Sequence, residues 1–113
     1  MRYESSLEKF EATGPDGKAY AAKFRRAGLL TMGDRPELYF FAVSGEDVAV
    51  AISGSALRKF EEARRCLSRE EKIDIAGLLL KRAIEAGKAL DSQNLLIRDD
   101  SLAQITSELG IPA

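Results

Sequence analysis

Cys66 is the one cysteine of the chain and histidine is absent, so the common ways of activating a nucleophile fall away. Ser-His-Asp and Cys-His relays are excluded, and so is every metal site that uses an imidazole. Carboxylates and one thiol remain for chemistry. The acid pairs Glu46-Asp47, Glu61-Glu62, Glu70-Glu71 and Asp99-Asp100 lack the alternating spacing and central glycine of a calcium loop. Turns and helix starts favour acids for local reasons, so no metal and no cofactor is expected. Arg65 and Arg69 would lower the thiol pKa of Cys66, whereas Glu62 one turn earlier would raise it. At the edge of an apolar helical face, Cys66 is expected to be a small core residue. Gly14, Gly17, Gly28 and Gly33 fit neither the dinucleotide nor the P-loop spacing. An enzyme using carboxylates or Cys66 is the third-ranked reading, because paired-acid hydrolysis needs two acids held across a cleft.

The stretch from Lys18 to Arg26 contains Lys18, Lys23, Arg25 and Arg26 without an acid, together with Tyr20 and Phe24. Binding of single strands needs cations and stacking aromatics on one surface. Strand alternation sends Tyr20 and Phe24 inward and Lys23 and Arg25 outward, so weak nucleic-acid binding ranks second and nucleic acid is not the expected partner. Arg58, Lys59, Arg64, Arg65 and Arg69 form another basic group. There Arg58 with Glu62 and Glu61 with Arg65 stand four residues apart, the spacing of self-neutralising helical pairs.

Two short resemblances accompany these readings. The run from Ser101 to Ile111, SLAQITSELGI, resembles the first helix and turn of helix-turn-helix DNA readers. Such a protein needs a recognition helix next, and the sequence ends at Ala113, so no DNA-contacting residue is carried over. The residues Ala51-Ile52-Ser53, Ala56-Leu57 and Leu96-Ile97-Arg98-Asp99 are similar to a pattern in small bacterial proteins of unknown function. That resemblance implies a hairpin, two helices and a short strand between Val50 and Ser101, and no activity.

The chain has 113 residues, 45% apolar and 31% charged, with 17 basic against 18 acidic side chains. A domain of this size buries roughly two thirds of its unfolded surface, which provides a core without disulfides or metal. Near-neutral charge argues against phosphate neutralisation as its main task. The apolar runs Leu38 to Val43, Val48 to Ile52 and Ile75 to Leu80 are far shorter than the roughly 20 residues of a membrane span. No leader pattern is visible around Arg2, Glu4 and Ser5, and the lone cysteine fits a reducing compartment. One cytoplasmic domain, residues 1–113, is the expectation.

Gly14-Pro15-Asp16-Gly17 predicts a bulged hairpin loop that pairs Gly14 with Lys18, Ala12 with Tyr20, Phe10 with Ala22 and Glu8 with Phe24. Phe10, Ala12, Tyr20, Ala22 and Phe24 then share one face, opposite Lys9, Glu11, Thr13, Lys23 and Arg25. A loop over about Ala27 to Pro36 leads to a second hairpin, Leu38 to Val43 and Val48 to Ile52, turning at Gly45-Glu46 with Ser44 opposite Asp47. Ser53 or Ser55 caps a first helix with Leu57, Phe60, Ala63 and Leu67 at helical spacing. Ser68 and Glu71 form a capping box for a second helix from about Arg69, with Gly87 as its stop. Asn94 to Arg98 reads as a fifth strand. Ser101 with Gln104 opens a last helix, ended by Gly110 and Pro112. The class is α+β, an antiparallel sheet with about three helices on one face, in the order ββββααβα.

The second hairpin is apolar on both sides. If helices cover Tyr39, Phe41, Val48, Val50 and Ile52, then Leu38, Phe40, Ala42, Ala49 and Ala51 look away. Ile75 and Leu78 also fall outside the main stripe of the second helix. Leu38, Phe40, Ala49, Ala51, Ile75 and Leu78 are therefore the candidate self-association residues, and the leading expectation is a non-catalytic binding or regulatory module that forms a homodimer. A further protein partner is compatible with that reading. The competing possibility is that the loop Ala27 to Pro36, with Leu29, Leu30 and Met32, folds over the exposed face as a lid.

Overall fold

A computed structural model describes residues 6–111. Pro112 and the segment of Arg2, Glu4 and Ser5 lie outside the described residues. The elements are β1 (Lys9–Thr13), β2 (Ala19–Leu29), β3 (Glu37–Val43), β4 (Glu46–Ile52), α1 (Gly54–Ala63), α2 (Arg69–Glu85), β5 (Leu96–Ile97) and α3 (Asp99–Glu108). Five strands form one sheet in the order β1-β2-β3-β4-β5. The class is α+β as the sequence predicts. No helix among the described residues is long and apolar enough to cross a membrane.

The first hairpin has the expected register, with Phe10 opposite Ala22 and Ala12 opposite Tyr20. Gly14 N–H donates to the Lys18 carbonyl at 2.9 Å and Gly17 N–H to the Gly14 carbonyl at 3.0 Å. Phe24 is buried and Phe10 and Tyr20 half-buried on the same face. Phe24 and Phe10 each meet the Phe41 ring edge-on, at 5.6 and 6.2 Å between centroids.

Beyond Phe24 the structure departs from the sequence reading. β2 runs on to Leu29, so the loop is shorter than expected, and its register on β3 shifts between Phe24 and Arg26. Arg25 is the extra residue of a β-bulge. Strand alternation is reset there, so Arg26 pairs with Phe40 and lies on the face opposite Phe24. The β3–β4 turn is also displaced. Val43 pairs with Glu46, which makes Ser44-Gly45 the two-residue loop in place of Gly45-Glu46. Ser44 and Gly45 both have positive φ, 49° and 90°, the backbone handedness that matches strand twist in a tight hairpin. The pairing partners move by two residues, so the two faces stay as predicted.

The fifth strand is two residues long rather than Asn94 to Arg98, and it pairs parallel to β4. A parallel neighbour cannot follow by a hairpin and requires a crossover, which α1 and α2 supply. Ser53 caps α1 by accepting from Ala56 N–H. The helix ends at Ala63, which is exposed, and Leu67 enters the core from the linker. Cys66 is on that linker too and is exposed, not part of the core. For α3, Asp99 and Asp100 form the first turn after Arg98, so Ser101 and Gln104 are inside the helix and do not cap it. Two acids at a helix N-terminus oppose the positive end of its dipole, which favours the earlier start.

Ile75 is 0% exposed and Leu78 is half-buried against the core. The α2 helix is central, packed on the sheet on one side and on α3 on the other. Its extra apolar positions are consumed within the chain, which removes Ile75 as a surface contact. Asp74 on α2 is also buried, and its carboxylate accepts from the backbone N–H of Ser6 at 3.1 Å and of Leu7 at 2.9 Å. The segment leading into β1 is thereby fastened to α2.

The capping box of α2 forms as expected, with Glu71 N–H donating to the Ser68 hydroxyl and Ser68 N–H to the Glu71 carboxylate. Arg65 adds a two-pronged pair to the same carboxylate, at 2.9 and 2.6 Å. That guanidinium first, and then the Ser68 backbone, hold the Glu71 pKa down at about 2 against the opposing effect of burial. A depressed carboxylate pKa stabilises the fold above its unfolded value, and the contribution is lost as pH falls toward the folded value. Urea unfolding at pH 6 and pH 3 is expected to show Glu71→Gln less stable by on the order of 2 kcal/mol at pH 6, with the gap to wild type narrowing at pH 3. A gap that is independent of pH would contradict this assignment.

Candidate functional site

The bulge and the parallel strand together decide what the outer face of the sheet presents. Residues directly opposite one another on neighbouring strands share a face, so the register lays out rows. The first row runs Lys9, Lys23, Ala42, Asp47 from β1 to β4. The second runs Arg26, Phe40, Ala49. The third runs Gly28, Leu38, Ala51, Leu96 from β2 to β5. The alternate residues Tyr39, Phe41, Val43, Val48, Val50 and Ile52 are all buried beneath the helices. By contrast Leu38, Phe40, Ala42, Ala51 and Leu96 are half-buried and Ala49 is exposed.

The outer face therefore keeps a share of solvent contact that the core face lacks. The lid reading fails on side-chain placement: Leu29 is 61%, Leu30 45% and Met32 74% exposed. The other end of the loop is anchored elsewhere. Asp34 turns toward the start of α1, where its carboxylate accepts from the Ser53 hydroxyl at 2.6 Å and from Ser55 N–H at 2.8 Å. With Arg58 at 3.7 Å as well, the loop is held at the end of the sheet. One side chain does cover part of the face, since the Arg26 guanidinium stacks 4.1 Å from the centre of the Phe40 ring.

The four candidate nucleic-acid residues do not form one patch. Lys18 lies over the Tyr20 ring at 5.3 Å, at the hairpin end, and Arg25 occupies the bulge. Lys23 and Arg26 share the outer face. There they join Lys9 and the aromatic Phe40, a grouping that uninterrupted alternation from Lys18 to Arg26 conceals. Lys9 stands directly opposite Lys23, and like charges so placed repel. The acidic member of the row is Asp47, two strands away.

The other feature with chemical potential is a groove of about 510 Å³ lined by Asp34, Ser53, Ser55, Leu96, Arg98, Asp99 and Asp100. It gathers three carboxylates from distant parts of the sequence. Two of them are already engaged. The Ser53 hydroxyl and Ser55 N–H keep the Asp34 pKa below the usual carboxylate range, which makes it a weak base, and Asp99 accepts from Lys59 at 2.8 Å. No group of three or more potential metal-ligating side chains occurs among the described residues. For Cys66, a hydrogen bond to Glu61 and that group's negative charge push the thiol pKa up. The protonated thiol is a poor nucleophile.

No family model, curated protein or solved structure matches the chain. The loop anchor at the groove can be tested directly. A Cβ at Gly54 would run into the Asp34 carbonyl and come within 2.7 Å of the Arg35 carbonyl. Gly54→Ala is expected to cost about 3 kcal/mol in urea unfolding, because backbone atoms on both sides must move. A loss below 1 kcal/mol would show that the loop is not seated on α1.

Proposed function

We propose that this protein is a non-catalytic module whose work is binding, and that it self-associates through the outer face of its sheet. The observation that carries the reading is the uncovered apolar group Leu38, Phe40, Ala42, Ala49, Ala51 and Leu96, set on a sheet whose other face holds the core. Alanines flanking Phe40 and Leu38 leave room for the side chains of a second flat surface, and sheets stack face to face at about 10 Å. Burying one patch on both copies around a two-fold axis is the most common way to close such an interface.

The second reading is single-strand nucleic-acid binding, favoured by one observation: the bulge brings Arg26 onto the face that carries Lys9, Lys23 and Phe40. Against it stand Glu11 and Asp47 on the same face, one aromatic ring rather than several, and the net charge of -1. Binding of random oligonucleotides that weakens steeply with added salt would select this reading over self-association.

Light scattering across micromolar concentrations checks the first reading. The expected mass approaches twice the 12.4 kDa of one chain as concentration rises. Phe40→Glu is expected to hold the mass at 12.4 kDa, with a melting point within a few degrees of wild type because the site is partly solvated. A wild-type mass that stays at one chain on concentrating would overturn the proposal.

A further inference from the structure

We infer that the second copy docks about a two-fold axis running along β3, so that Lys23 of each chain lies over Asp47 of the other. This rests on the self-association proposed above and specifies its geometry. The outer face is uneven in charge: β1 and β2 contribute Lys9, Lys23 and Arg26 against the one acid Glu11, β4 contributes Asp47, and the apolar residues of β3 stand between. A two-fold axis along the middle strand exchanges the flanking strands and preserves the rows. Lys23 then meets Asp47 of the second copy, Arg26 meets Ala49, and Gly28 meets Ala51. Phe40, Leu38 and Ala42 each meet their own counterparts. In the third row the small residues Gly28 and Ala51 oppose one another on either side of the Leu38 pair.

The same pairing supplies Lys23 with an opposite charge, which its cross-strand neighbour Lys9 cannot do. An axis across the strands would exchange the first and third rows instead. Lys23 would lie over Gly28 and Asp47 over Ala51, so four charges per dimer would lose water without gaining partners, a costly arrangement. Charge complementarity therefore selects the axis along β3.

Charge reversal tests this geometry on the full chain by sedimentation equilibrium. Lys23→Glu and Asp47→Lys are each expected to raise the dimer dissociation constant roughly tenfold, since each turns two symmetric attractions into repulsions. Carrying both substitutions in one chain restores the opposite-charge pairs and is expected to return the constant to within about threefold of wild type. Circular dichroism and melting points of all three variants establish that each is folded. A double variant as weak as the single variants, or weaker, would overturn the axis while leaving dimerisation intact. A wild type that never dimerises would remove the proposed function as well.

Discussion

The parallel pairing of β5 with β4 constrains everything else in this fold. Two strands that run in the same direction need a long connection between them, and here that connection is α1 followed by α2. α2 packs on the sheet over the core of Phe41, Val50 and Ile52, and α3, which follows β5, packs against both α1 and α2. The three helices thus form one connected layer, joined to the sheet through α2. On the other face Leu38, Phe40, Ala42, Ala49 and Ala51 keep some exposure, with Arg26 stacked over part of Phe40.

Two aspartates hold this asymmetry in place from opposite ends. Asp74, buried on α2, fastens the residues before β1 to the helical layer through the Ser6 and Leu7 amides. Asp34 fastens the loop after β2 to the start of α1, through Ser53 and Ser55. Leu29 belongs to β2, where its pairing with Glu37 sets it on the side opposite Leu38, and Leu30 and Met32 stay exposed, so the loop that has the composition of a lid does not act as one. The bulge at Arg25 then changes the charge of that face by adding Arg26 to it. The Arg26 stack on Phe40 leaves the edges of the guanidinium available while screening part of the ring.

Much of the architecture was legible in the sequence because it depends on local rules. The Gly14 to Gly17 loop specifies its register, the Ser68 and Glu71 pair specifies the start of α2, and alternation separates the two faces of β3 and β4 even though the turn falls one residue earlier than Gly45-Glu46 suggests. The misplaced features depend on contacts between distant residues or on backbone states that side-chain type does not encode. Arg25 carries no mark of a bulge, and Ser44 gives no strong signal for positive φ. The parallel direction of β5 is set by the crossover, not by Leu96 and Ile97. Asp74 interrupts an otherwise apolar helix face, and that interruption is the signal the sequence offers for it: a carboxylate among core residues needs donors. The groove at Asp34, Asp99 and Asp100 could not be read from sequence, since its walls come together only after β4 and β5 pair.

The central claim is that the outer face of the sheet meets water in the monomer and a second copy in the associated state. The most direct measurement is NMR of methyl-labelled alanine with a soluble paramagnetic agent, at low and at high protein concentration. Ala42, Ala49 and Ala51 are expected to broaden strongly when dilute and to become protected together on concentrating, while the buried Ala76 and Ala83 stay protected throughout. Broadening of the three outer alanines that is unchanged by concentration would contradict the account.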